Sequence, residues 1–401
     1  MNLRFLPLIL AVTTLLAAEA PFDWQRAKEL HQRAANGATL TADEQKYLDE
    51  AKRRHAAGEN PGGEIQPPPP GAKIDWERAK DLYQRAQRGE KLSPEDQQYL
   101  EEAKRQRGNV GGPAQPQQPP PAPPQNLVPL TELTVAHHGE DGGLYGAGKN
   151  DPPADLAARA KQAAAQIRPL NAQGRPASDG KIVLVSLGMS NTTQEFSAFK
   201  RIADPDPRKA ANVVIVDTAQ GGKTAAAWAG QDQPWEEAAR RLQTAGVSPA
   251  QVQVIWLKEA NAGPSTGWPA ATDQLRDDIR TGLKRAREKY PNLRLIFLSS
   301  RIYAGYATTR LNPEPYAYES AFAVRTVIRE QPADGPVLLW GPYLWTNGEK
   351  GRALDGMKWL REDCGPDGTH PSRTGQEKVA RLLLDFFTTH AHAKPWFAKQ
   401  P

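Results

Sequence analysis

The chain has 401 residues and a formal net charge of +5, long enough for more than one domain at the usual roughly 100–200 residues each, and only mildly basic. Cations and acids balance over 21–60 (seven against seven) and over 61–110 (nine against nine), so there is no basic arm of the kind a nucleic-acid partner requires. The single cysteine, Cys364, excludes an internal disulfide and leaves stability to a packed core.

Residues 1–20 have the pattern of a signal peptide. Arg4 supplies a thin positive start, "FLPLILAVTTLLAA" an apolar centre, and Ala18-Glu19-Ala20 a small-residue cleavage site. The apolar run is short and interrupted by Pro7, which argues against a membrane span, and no cysteine follows it to carry a lipid. An exported protein, periplasmic or extracellular, is expected.

Two segments then repeat at an offset of 52 residues, one beginning at Asp23 and the other at Asp75, with 18 of 32 aligned positions identical. In the second copy Trp76, Ala79, Leu82 and Ala86 share one helical face, and so do Tyr99, Leu100 and Ala103. Gly89 stops the first helix, and Ser93-Pro94-Glu95-Asp96 reads as a cap, a proline in the first turn and an acidic start. Thr41-x-x-Glu44 is the equivalent capping box in the first copy. The expected organisation is a helical hairpin over 21–60, a Pro/Gly linker over 61–73, a second hairpin over 74–108 and a Pro-rich linker over 109–126. Two readings stand for the hairpins: modules that bind a cell-envelope component or another protein, or a stalk that holds the remainder clear of a surface.

From 127 to 401 the composition becomes globular. "KIVLVSL", "NVVIVDT", "VQVIWLK", "LRLIFLSS" and "PVLLWG" are short apolar runs that alternate with amphipathic helical segments. This is the pattern of an α/β fold: a doubly wound, flavodoxin-like parallel sheet of about five strands with helices on both faces. Sites in such sheets form at the carboxyl ends of the strands, which puts Ser190, Gly221-Gly222 and Asn261 along one rim. "DCGPDGTHPSRTGQEKVA" adds Asp367 and His370, three apart, just before the closing helix. A serine is a weak nucleophile without a base beside it, a histidine titrates near neutrality, and a carboxylate holds the histidine's tautomer. Acyl transfer also needs donors facing the developing oxyanion. The backbone N–H groups of Ser190 and Gly222 and the side-chain amide of Asn261 are the candidates.

Gly188-x-Ser190 after the first strand, Gly222 after the second, Asn261 after the third and Asp367-x-x-His370 before the last helix resemble the four blocks of the SGNH hydrolases, the GDSL-type esterases. The resemblance spans about Lys181 to Thr389. It implies Ser190 as nucleophile, His370 and Asp367 as its partners, and Ser190, Gly222 and Asn261 as the oxyanion hole. It implies a small ester or acylated carbohydrate as substrate and no metal or organic cofactor. The sequence departs from the family pattern at Met189, Asn191 and Glu259. Serine–asparagine occurs in carbohydrate-directed branches of the superfamily, so Asn191 is a candidate substrate contact. Glu259 either contacts substrate or turns away, since a carboxylate in the hole would oppose an oxyanion. The alternative is a non-catalytic envelope or glycan binder that keeps the fold.

Gly222-Lys223-Thr224 ends like a phosphate-binding loop, but Asp217 stands where that motif needs a glycine. His137-His138 and His390-x-His392 lack carboxylates at metal-site spacing in the sequence. "HHGEDGGLYGAGKNDPP" reads as a lid or as a strap across the sheet edge. Trp256, Trp268, Tyr303, Trp340, Tyr343 and Trp345 divide between core positions and stacking on sugar rings. Cys364 is expected to be a buried structural thiol.

Overall fold

Equivalent residues make equivalent bonds in the two N-terminal hairpins. Helices α1 (Trp24–Ala35) and α2 (Ala42–Ala56) form the first, and α3 (Trp76–Gln87) and α4 (Pro94–Gly108) the second. In the first, Arg26 N–H is capped by Asp23, Tyr47 donates to the Asp23 carbonyl, and the Arg26 guanidinium lies over the Tyr47 ring. Asp75, Arg78 and Tyr99 stand at the matching positions with the same cap and the same cation–π contact. The Thr41–Glu44 capping box closes in both directions, at 3.3 and 2.8 Å. The buried faces also correspond: Ala27, Leu30, Leu48 and Ala51 against Ala79, Leu82, Leu100 and Ala103.

The computed structural model describes residues 22–35, 40–56, 74–87, 92–108 and 126–399, with Pro120 and Pro124. The leader over 1–20, the linker over 61–73 and most of the linker over 109–126 lie outside them. The chain divides into two compact units, residues 1–115 and 116–401. Among the described residues no helix is long and apolar enough to cross a membrane.

The second unit carries the sheet. After α5 (Ala154–Gln166) come β1 (Ile182–Gly188), α6 (Ser190–Ala203), β2 (Val213–Val216), α7 (Ala225–Gly230), α8 (Gln233–Thr244), β3 (Val252–Lys258) and α9 (Ala270–Lys289). Then follow β4 (Leu295–Ser299), α10 (Tyr316–Arg329), β5 (Val337–Trp340), α11 (Arg373–Thr389) and the short α12 (Lys394–Phe397). All five strands are parallel in the order β2-β1-β3-β4-β5, with Leu187 opposite Leu257 and Leu257 opposite Leu298. Every residue of β1, β3, β4 and β5 is buried, as continuous apolar strands covered on both faces require. One set of helices packs as α6 on α11, α11 on α12 and α12 on α5; the other as α8 on α7, α7 on α9 and α9 on α10. The apolar core begins at Leu127 and runs to Phe397.

The chain leaves β1 towards β2 on one side and later returns to add β3 on the other. The carboxyl ends of β1 and β3 therefore border the point where the winding reverses, the crevice in which α/β sheets place their sites. Residues 137–153 form a strap on edge strand β5 rather than a lid: Trp340 Nε1 donates to the Leu144 carbonyl at 2.6 Å, and Trp340 N–H to the Tyr145 hydroxyl at 3.2 Å.

Candidate active site

Gly188 ends β1 because nothing larger fits. A Cβ there would collide with the Lys258 carbonyl on β3 and with Thr192 Oγ1 on α6. The chain turns through Met189 and enters α6 at Ser190, its first residue. Thr193 N–H is bonded to the Met189 carbonyl at 3.0 Å, so the N–H groups of Ser190, Asn191 and Thr192 precede the helical ladder at the positive end of the helix.

The loop before α11 supplies the partners. Gly368 takes a left-handed φ of 66° and packs so closely on the Tyr306 carbonyl that a side chain would collide. This tight turn returns the chain so that one Asp367 oxygen accepts the N–H groups of Thr369 and His370, each at 3.0 Å. The other oxygen lies 2.5 Å from His370 Nδ1. His370 Nε2 is 2.7 Å from Ser190 Oγ. With Nδ1–H donating to the carboxylate, Nε2 is the acceptor for the serine hydroxyl. Partial burial pushes the Asp367 carboxyl up, but the hydrogen bonds from His370 and Thr369 prevail and hold it at about 2, so it stays ionised across the working pH range.

The expected oxyanion donors are arranged less simply. Gly221 is the glycine beside the serine, where an added Cβ would sit 4.0 Å from Ser190 Cβ. Gly222 adopts φ 77° in a turn closed by Lys223 N–H on the Gln220 carbonyl at 3.2 Å, with open space around it. The turn is held to the serine by Gln220 N–H on the Gly188 carbonyl at 2.9 Å. Asn261 follows β3 on the same rim. Its Oδ1 accepts from Ala226 N–H at 3.0 Å, and one hydrogen of its Nδ2 is committed to Asp278 at 2.7 Å.

No protein-family model matches the chain, and no curated protein matches it. Solved structures do. The chain is similar to a serine-to-alanine mutant of an acetyl esterase with an acetate ion, at 12% identity and a TM-score of 0.35, covering 50% of this chain and 94% of that one. It is similar to the periplasmic domain of a lipopolysaccharide acetyltransferase from Salmonella ser. Paratyphi A, at 13% identity and a TM-score of 0.33, covering 59% and 98%. It is also similar to a protein assigned as an acylhydrolase from Bacteroides fragilis NCTC 9343, at 12% identity and a TM-score of 0.30, covering 58% and 96%.

Asn191 and Glu259, the two candidate substrate contacts, are each only 1% exposed. Asn191 is engaged within the protein: its Nδ2 donates at 2.9 Å to the carbonyl of Thr369, the residue before the histidine. Arg301, fully buried after β4, reaches the same carbonyl at 3.3 Å. Neither contact has a local signal in the sequence, because the bonded residues are 178 and 68 positions apart. Both Glu259 carboxyl oxygens are buried without a hydrogen-bond partner. Burial, with the Asp278 charge adding to it, raises the group well above the usual carboxylate range and so disfavours a negative charge beside an oxyanion.

Beneath α6, Lys258 Nζ meets both oxygens of Glu195 at 2.5 and 2.6 Å, with neither side chain exposed. Burial lowers the Lys258 ammonium to about 8 against the pull of Glu195. Asp217, at the end of β2, accepts from Ser186, Thr193 and Ser197 and so staples α6 to β1 and β2. Cys364 is buried, and that burial raises its thiol to about 11. Trp256, Trp340, Tyr343 and Trp345 are core residues, while Trp268 and Tyr303 are partly exposed.

Proposed function

We propose that this protein is an exported serine esterase that removes O-acyl groups, with an acylated polysaccharide as its substrate class. The reading rests on one observation, the unbroken contact from Ser190 Oγ through the His370 ring to Asp367, at 2.7 and 2.5 Å. Ser190 Oγ attacks the ester carbonyl and His370 Nε2 takes its proton. The tetrahedral oxyanion is met by backbone N–H groups at the start of α6 and in the Gln220–Lys223 turn, and by the remaining Asn261 amide hydrogen. Collapse returns the proton from His370 to the departing alkoxide and leaves an acyl-serine. Water, deprotonated by His370, then releases the acid and restores the enzyme. Asp367 stays ionised throughout and stabilises the imidazolium. The carbohydrate preference draws on the sequence resemblance carried by the Ser190-Asn191 pair, not on a contact from the buried Asn191 side chain, and on Trp268 and Tyr303, the partly exposed rings of the aromatic set.

The rival is a non-catalytic binding protein of the same fold, favoured by the Asn261 amide being tied to Asp278. A fluorophosphonate probe separates the two. Labelling at Ser190, abolished in Ser190→Ala and nearly so in His370→Ala with the thermal melt unchanged, is the expected result. The two substitutions together should cost no more turnover of p-nitrophenyl acetate than either alone, since the groups act as one unit. A folded protein that neither reacts with the probe nor hydrolyses any ester would leave the binder standing.

A further inference from the structure

The carboxylates nearest His137 and His138 in the sequence, Glu140 and Asp141, pair with Arg325, and the fold brings the two histidines a distant one instead. Glu319, on α10, lies with one carboxylate oxygen 3.3 Å from His137 Nε2 and 3.6 Å from His138 Nε2. One ligand atom from each of the three residues falls within 4.8 Å of the others, and among the described residues no other trio of His, Cys, Asp or Glu does this. Adjacent residues of an extended chain point apart. Here His138 takes φ 52°, left-handed backbone rare outside glycine, and both imidazoles face the same carboxylate. The rings are also held: His137 stacks on Phe322 at 5.6 Å, and His138 on Trp268 at 5.4 Å.

Charge supplies the second observation. The Glu319 side chain is only 3% exposed, and among the described residues its ion-pair partners are these two histidines alone. Arg325, six residues further along α10, is engaged with Glu140 and Asp141 instead. A buried carboxylate facing two imidazoles lacks a full positive charge unless a proton or a metal supplies it.

We infer that His137, His138 and Glu319 form a site for a borderline divalent transition metal, Zn²⁺ above all. Ligand atoms about 2.0–2.1 Å from a tetrahedral ion lie about 3.3–3.4 Å from one another; the His137–Glu319 edge is 3.3 Å and the His138–Glu319 edge, at 3.6 Å, has only to shorten slightly. Two imidazoles and one carboxylate suit Zn²⁺, Co²⁺ or Ni²⁺ rather than the oxygen-seeking Mg²⁺ and Ca²⁺. The His138 side chain is 50% exposed, so the fourth position opens to water on that side. The ion pins the 137–153 strap to α10. It uses no residue of the proposed catalytic set and holds whether or not the chain is an esterase.

The test is calorimetric titration of the EDTA-treated full chain with ZnCl₂. One Zn²⁺ per chain is expected, undisturbed by excess Mg²⁺, with loss of more than about 100-fold in affinity in Glu319→Gln and His138→Gln, beyond what a merely supporting residue costs. His370→Ala and His392→Ala should bind as the wild type does. Zn²⁺ at a hundred times its Kd should raise the melting temperature by roughly 5–10 °C in wild type and not in Glu319→Gln. His138 is half exposed, so His138→Gln keeps the test sound if Glu319→Gln misfolds. Absence of stoichiometric binding, or a Zn²⁺ site that survives both substitutions, overturns the inference and leaves a hydrogen-bonded His137–Glu319 strut.

Discussion

Asn191 stands next to the serine and bonds to the residue next to the histidine. Its Nδ2–Thr369 contact ties the first turn of α6 to the loop that carries Asp367 and His370, and Arg301 adds a second donor to the same carbonyl. The distance between nucleophile and base thus depends on a bond that neither residue makes. Asn191→Ala is expected to slow fluorophosphonate labelling of Ser190 by about 10–100-fold, the scale of a small misplacement of reacting groups. The lost buried hydrogen bond should lower stability by about 1–2 kcal/mol. Labelling at the wild-type rate in a correctly folded Asn191→Ala would show that Arg301 suffices. In the sequence this residue stood out only as a departure from the resembled family. Its bond reaches across 178 positions, which no local pattern encodes. The same holds for Glu259, a charged residue type in the sequence whose carboxyl the structure buries without a hydrogen-bond partner.

At the scale of elements, α6 is positioned from below by a buried ion pair and from the side by Asp217. Strands β1, β3 and β4 were legible because burial on both faces gives uninterrupted Val, Ile and Leu runs, and β3 coincides with "VQVIWLK". The expectation for β2 ran on through Asp217-Thr218, whereas the strand stops at Val216 and Asp217 turns to accept three hydroxyls. Helix α6 was not legible: "SNTTQEFSAFKRIA" opens on polar and β-branched residues, and tertiary bonds such as Thr192 Oγ1 to the Lys258 carbonyl at 2.6 Å compensate. The Lys258–Glu195 pair lies under that helix. Lys258→Met alone leaves a buried carboxylate without its cation and should destabilise the second unit by about 3–5 kcal/mol. Lys258→Met with Glu195→Leu removes both charges and should recover most of that loss. Denaturant unfolding of the two variants decides it; a double variant as unstable as the single one would mean that packing rather than charge governs the site.

At the scale of the whole molecule, the question is where the chain can be cut. Among the described residues, each N-terminal hairpin buries a handful of small and medium side chains, Ala27, Leu30, Leu48 and Ala51 in the first, little apolar surface with which to hold helices of 12 and 15 residues. The large core begins at Leu127, whose carbonyl accepts from Asn347 Nδ2 at 2.7 Å, and Leu130 N–H donates to the Tyr343 hydroxyl at 3.1 Å. A shortened chain starting at Asn126 keeps both bonds and should fold with the main thermal transition of the full protein and react with the serine probe at an equal rate. A chain starting at Ala154 loses the strap. It deletes the core residues Leu130 and Leu144 and takes Glu140 and Asp141 away from Arg325, whose side chain is 1% exposed, so a buried guanidinium is left without its carboxylates. That second chain should be insoluble or lack a cooperative transition, since an unpaired buried charge costs several kcal/mol against a total stability of about 5–15 kcal/mol. Circular dichroism melts of the two shortened chains beside the full protein check both halves. Failure of the Asn126 chain to fold would assign the hairpins a structural part in the second unit, and a stable Ala154 chain would reduce the strap to decoration.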